Sequence, residues 1–212
     1  MRRSAVYALV ALLTLVFASP ASAGDSDWKV YTYNPSGRAL SSQQADEGPA
    51  FTFTTSTDTA LFAAQRLEGP NTSLAGRTIT AKFRIDALGA TFHYYGEPDG
   101  CGTPASVRLY FSSNGSFGSK KDWYSNFWWS NSTGSYSVLR NGEVMISAKV
   151  SSSNWSNWDG HQGTVREEGF AAAAADPALI GFSFGGGCFY ENGVGASGGT
   201  ATFTMLSFVI GE

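Results

Sequence analysis

Acidic residues capable of acid–base or metal chemistry gather beside the chain's only two cysteines. The first segment reads Tyr95-Gly-Glu97-Pro-Asp99-Gly-Cys101, and the second Cys188-Phe-Tyr190-Glu191-Asn192-Gly193. An oxidised Cys101–Cys188 pair would bring Tyr95, Glu97, Asp99, Tyr190, Glu191 and Asn192 into one neighbourhood. Three chemistries are open to that set. Glu97 and Glu191 could act as acid and base on a glycosidic bond. Asp99 and Glu191, with neighbouring oxygens, could hold a structural Ca²⁺, which favours six to eight oxygen ligands. Or the acids are solvated turn residues, as Asp and Glu mostly are. The metal reading names no definite ligand set, and no organic cofactor is expected.

A second group is aromatic. Five of the six tryptophans fall between Trp123 and Trp158, interspersed with Tyr124, Phe127 and Tyr136. Sugar rings have apolar C–H faces, and a rigid aromatic plate beside hydrogen-bonding groups suits them. Trp128 or Trp129, Trp158 and Tyr124 are the candidate stacking residues, with Asn157 and Asp159 as polar contacts. On a strand Trp128 and Trp129 must point to opposite faces, which predicts one buried and one exposed. Packing within a core is the competing role for the cluster, and Trp155 is expected to plug a loop. His93 is expected to face outward from its strand, and His161 to lie in a loop.

The context in which these residues act is set by the N-terminus. Met1-Arg2-Arg3 supplies positive charge, Ala5 to Ala18 is almost wholly apolar, and Ala21-Ser22-Ala23 is a small-x-small cleavage signature. Residues 1–23 therefore read as a signal peptide, and 24–212 as one extracellular domain. The apolar run falls short of the roughly 20 residues that a membrane span needs. Outside the cytoplasm, an even pair of cysteines is most simply one disulfide. Without Arg2 and Arg3 the chain has 12 basic and 17 acidic residues, a net charge of about −5. That balance, with no basic stripe, argues against nucleic acid as a partner. A polysaccharide or other glycan is the expected partner, and the chain is expected to be a monomer.

The elements that would position these groups are strands. Ile79, Ala81, Phe83 and Ile85 alternate with Thr80, Lys82 and Arg84. Val107-Leu109-Phe111, Val144-Ile146-Ala148-Val150 and Ile180-Phe182-Phe184 repeat the period of two. In the last strand Ala201, Phe203 and Met205 share one parity, but Phe208 and Ile210 the other, which predicts a β-bulge near Met205-Leu206. Asn114-Gly115, Asn141-Gly142 and Asn192-Gly193 signal turns, and Leu139 to Val144 is predicted to be a tight hairpin. A single short helix is predicted over Glu167–Ala175, anchored by Phe170 across one edge or end of the sheets. The expected fold is all-β: a two-sheet antiparallel sandwich, jelly-roll-like, with one short helix.

The run Phe92 to Phe111, with Trp128-Trp129-Ser130, Asn154-Trp155-Ser156 and Gly185 to Gly195, resembles an uncharacterised type of exported bacterial β-sandwich domain. More loosely, the chain is similar to jelly-roll carbohydrate-binding modules. The resemblance implies a noncatalytic sugar-binding or surface-associated role and carries over no individual residue. Three functions therefore stand side by side: a secreted glycan binder, a glycoside hydrolase or lyase using Glu97 and Glu191, and a structural or adhesive extracellular protein without a small ligand.

Overall fold

In a computed structural model, residues 28–33, 40–44, 49–65, 72–97, 103–113 and 124–212 are described. The signal peptide, Asp99, Cys101 and the Asn114-Gly115 turn lie outside them. Period-two alternation has the predicted consequence in β5 (Thr78–Leu88). Ile79, Ala81, Phe83 and Ile85 are fully buried, while Lys82 and Arg84 face water. β5 is central in a four-stranded antiparallel sheet, flanked by β10 (Gly142–Lys149) and by β14 (Thr200–Gly211), which pairs in turn with β3 (Ala50–Thr52).

The facing sheet has ten strands. Its main path runs β11 (Trp155–Ser156), β8 (Phe127–Ser130), β7 (Ser106–Ser112), β12 (Leu179–Gly185), β4 (Thr59–Gln65), β1 (Trp28–Tyr33) and β2 (Leu40–Gln44). β9 (Tyr136–Val138) pairs with β7, and β13 (Val194–Ser197) links β4 to β6 (Thr91–Tyr94). All pairings are antiparallel. The chain is thus an all-β two-sheet sandwich.

Between the sheets lies a phenylalanine-rich core. Phe203 stacks on Phe83 at 4.9 Å between ring centroids, and Phe182 meets it edge-on at 5.1 Å. Aromatic pairs of this kind contribute about 0.5–1.5 kcal/mol beyond their buried area. The predicted bulge is present: the β14–β5 register shifts between Met205 and Ser207, leaving Leu206 as the extra, partly exposed residue. Met205 and Phe208 therefore both reach the core.

The helix α1 (Glu167–Ala175) carries Glu167 and Glu168 in its first turn, where the positive end of the helix dipole favours them. It ends before Pro177. Phe170 packs edge-on against Trp128 at 5.1 Å and near Phe111 at 5.8 Å, closing that part of the core.

The predicted Leu139–Val144 hairpin does not form. β9 pairs with β7 in the large sheet, whereas β10 pairs with β5 in the small one. The segment crosses between sheets because Leu139 is buried in the core and Asn141 Oδ1 accepts the Ala87 N–H at 2.9 Å. Gly142, at φ +124°, makes the bend. An Asn-Gly pair fixes a turn; it does not fix which strand comes next.

Candidate functional site

The two outer faces of the sandwich differ. On the small sheet, the outward side chains are exposed and mixed: Lys82 pairs with Glu143 at 2.8 Å and Arg84 with Asp86 at 2.9 Å, beside exposed Met145 and Val209. Lys82 holds the Glu143 carboxyl below its usual range. On the large sheet, the outward positions form a buried layer in which Tyr31, Tyr33, Tyr110, Phe127 and Trp129 are aromatic. Tyr31, Tyr33, Leu61, Ala63, Tyr110, Phe127, Trp129 and Leu179 form a second buried cluster, with Trp158 and Tyr190 packed against it.

Strand parity sends Trp128 and Trp129 to opposite faces, as expected. It does not expose either of them: Trp128 is 0% and Trp129 1% exposed. Trp128 enters the inter-sheet core and donates its indole N–H to Ser125 O at 3.0 Å. Trp129 lies in the outer layer, where Tyr110, Phe127 and Trp158 surround it. Neither ring offers a free face to a sugar. Trp155 is core too, packed 4.7 Å from Phe111.

The residues after Trp155 form a loop that carries one partly exposed indole. Asn157 is buried, and its side chain is committed to that loop. Its amide donates to Tyr124 O at 2.8 Å, and its Oδ1 accepts the His161 N–H at 2.9 Å. Both ends of the Asn157 side-chain amide are thus engaged within the protein. Trp158 is half-buried, its ring 6.2 Å from Trp129. Asp159 is exposed and pairs with His161 Nδ1 at 2.9 Å, and Tyr124 is exposed. His93 is half-buried on β6, its Nε2 3.2 Å from Thr55 O.

The cysteine-flanking segments do converge where they can be followed. Asn192 Nδ2 donates to Tyr95 O at 2.7 Å, and Tyr95 N–H donates to Gly193 O at 3.0 Å. Asn192 Oδ1 also accepts the Gly186 N–H at 2.9 Å. Tyr95 and Glu97 are exposed, Tyr190 is half-buried, and Glu191 and Asn192 are buried. Cys188 is exposed and is not a free thiol. Among the described residues no three His, Cys, Asp or Glu side chains converge as metal ligands. No helix among them is long and apolar enough to cross a membrane.

The two candidate groups turn out to share one face. Trp129 Nε1 donates to Ser183 Oγ at 2.9 Å, and that hydroxyl donates to Tyr190 O at 2.6 Å. Ser183 sits opposite Arg108, and Arg108 opposite Tyr136, in the sheet register. The Arg108 guanidinium therefore lies between two phenols, 4.2 Å from the Tyr136 ring centroid and 4.0 Å from that of Tyr190. Burial lowers its pKa, with the Tyr190 and Tyr136 phenols acting the other way. Burial likewise pushes the Tyr110 phenol well above its ordinary value, with nearby Ser112 acting the other way; Tyr33, Glu191 and Tyr31 add smaller upward effects.

Arg108, Tyr136 and Ser183 were not among the candidates from sequence. The signal for Arg108 and Tyr110 was present: they are the polar parity of a strand whose other parity is Val107, Leu109 and Phe111. Gly181-Phe182-Ser183-Phe184-Gly185 also fits the Gly-x-Ser-x-Gly spacing of nucleophile elbows. Ser183, however, is mid-strand in β12 rather than on a strand-to-helix turn, and its hydroxyl is bonded to Trp129 and Tyr190.

A separate shallow pocket of about 360 Å³ lies beside the Leu139–Asn141 crossing, lined by Ala87, Ala90, Phe92 and Leu139 among others. Arg140 is the only ionisable group in it. No family model, curated protein or solved structure matches the chain. The fold and face define its class: an all-β sandwich whose larger sheet is aromatic on both sides.

Proposed function

We propose that this chain is a secreted, noncatalytic glycan-binding protein whose ligand lies on the outer face of the ten-stranded sheet. The observation that carries this reading is the aromatic layer on a face that sheet-to-sheet packing does not require. Cohesion of a sandwich needs one apolar face per sheet, and the outer face of the small sheet is mixed, with Lys82, Arg84 and Glu143 beside exposed Met145 and Val209. An additional aromatic layer with partly open rings at its margin suits a flat, amphipathic ligand.

The rings available for stacking are Trp158, Tyr190, Tyr136 and Tyr124, with Tyr136 the most open at 41%. Asp159 supplies acceptor oxygens beside Trp158. Trp129, Ser183 and Asn157 hold that set in place from beneath, so little ordering remains to be done on binding. Export through residues 1–23 and a Cys101–Cys188 disulfide belong to the same proposal, the bond tethering the loop that carries Tyr190.

Affinity electrophoresis through gels containing plant, microbial and host polysaccharides tests the reading. At least one polymer is expected to retard the native protein, and Trp158→Ala to abolish the retardation. A protein that migrates unchanged through the whole series removes the proposal.

A further inference from the structure

Arg108 is the one cation buried among the described residues, at 6% exposure. Its surroundings do not neutralise it. Nη1 donates to the Ser130 carbonyl at 3.0 Å, Nε is buried without an acceptor, and among the described residues no carboxylate pairs with the group. The surface cations Lys82, Arg84 and Arg166, by contrast, each have an acidic neighbour within 4.0 Å. Two phenol rings near the guanidinium offer their quadrupoles, which accept no hydrogen bond from the unpartnered Nε. A charge held out of water without a partner is normally avoided.

The guanidinium is also held rigidly. β7 is paired on one side by β12, with Ser183 opposite Arg108, and on the other by β9, with Tyr136 opposite. A carboxylate is recognised along the edge of a guanidinium, where parallel N–H groups match its two oxygens. Tyr136, exposed at 41% on a three-residue strand that pairs only with β7, is the more open side of this enclosure.

We infer that Arg108 reads the carboxylate of a uronic acid, making the ligand of this face an acidic glycan whose sugar ring lies against Tyr136 and Tyr190. The inference rests on the glycan-binding reading and narrows it to one chemical class. The chain's net charge of −3 gives a polyanion no general attraction, so selection falls to this one buried cation.

The test compares polygalacturonate, alginate and hyaluronan with the same polymers after reduction of their carboxyl groups to alcohols, and with chondroitin sulfate before and after desulfation. The native protein is expected to bind at least one uronate polymer and to lose tenfold or more in affinity when its carboxyls are reduced. Arg108→Lys, which keeps the charge and loses the fork, is expected to bind that polymer at least tenfold more weakly, its folding checked by circular dichroism. Equal binding of native and reduced polymers overturns the inference and leaves glycan binding standing. So does binding that follows sulfate, or an Arg108→Lys protein that binds like the parent. Failure to bind any polymer, acidic or neutral, overturns both.

Discussion

Trp129 is tied to Tyr190 through a single hydroxyl: the indole N–H reaches Ser183 Oγ at 2.9 Å, and Ser183 Oγ reaches the Tyr190 carbonyl at 2.6 Å. This relay joins the tryptophan cluster to the cysteine-bearing loop. Ser183→Ala leaves a buried N–H and a carbonyl without their partner, at a cost of about 1–3 kcal/mol. Urea unfolding followed by tryptophan fluorescence measures it. The same variant should weaken glycan retention, because the Tyr190 loop loses its anchor on β12. A midpoint matching the parent's would show that the relay carries no energy.

Trp158 and Trp128 should separate binding from stability. Trp158 is half-buried at the margin of the outer layer, and Trp128 is sealed in the core. Trp158→Ala is expected to abolish retention at a stability cost below the roughly 3–5 kcal/mol of truncating a fully buried Trp. Trp128→Phe removes ring volume and the N–H bond to Ser125 O, at about 1–3 kcal/mol, with affinity unchanged. If Trp128→Phe lost binding while remaining folded, the ligand would have to be placed on another surface.

The strands and the site were not equally legible in the sequence. Ile79 to Ile85 and the Met205–Leu206 bulge are readable because burial on one side leaves a periodic record and a bulge is a break in it; α1 is readable from an alanine run opened by Glu167 and Glu168 and closed before Pro177. Which sheet a strand joins leaves no such record. Gly142 made the expected bend, yet β10 went to the opposite sheet because Leu139 and Asn141 find partners across the sandwich. The expectation that one of Trp128 and Trp129 is exposed fails for a related reason. Parity gives the side of the sheet, but Phe127, Tyr110 and Trp158, which cover Trp129, come from β8, β7 and the following loop. Arg108 was hidden by the same non-locality: its phenols stand on β9 and after β12, and only the register assembles them.

Gly186 tests whether the glycine run before Cys188 serves packing. A Cβ on Gly186 would overlap the Tyr94 ring, a buried side chain on β6. Gly186→Ala should therefore cost about 1–3 kcal/mol through overpacking. Tyr94→Leu in the same chain should recover part of that loss, because the two sites are in contact and their effects couple. Additive penalties in the double variant would mean the strain lies elsewhere.

The proposed Cys101–Cys188 bond predicts intact protein with no alkylatable thiol before reduction. Closing so long a loop contributes at most about 4–5 kcal/mol by chain entropy. The Cys101→Ser/Cys188→Ser protein should unfold at lower urea by no more than that amount. It should also bind glycan more weakly than the parent while still folded, since the Tyr190 loop loses its tether. Two reactive thiols in protein recovered from the medium would remove the bond and that part of the proposal.

Tyr110 sets a limit on the alkaline side. Its phenol is fully buried, and burial is the main cause that raises its pKa. A folded-state pKa above the unfolded value of about 10 means that the folded chain holds this proton more tightly. The stability linked to it is complete below about pH 10 and is lost as pH rises beyond that value, toward the folded pKa. Urea midpoints measured between about pH 9 and about pH 11 should therefore fall in the parent. Tyr110→Phe should cost no more than about 1.5 kcal/mol near neutrality and flatten that fall. The other tyrosines stay in the variant, so a slope as steep as the parent's would assign the alkaline loss to them, and would mean that the Tyr110 hydroxyl ionises without opening the outer layer.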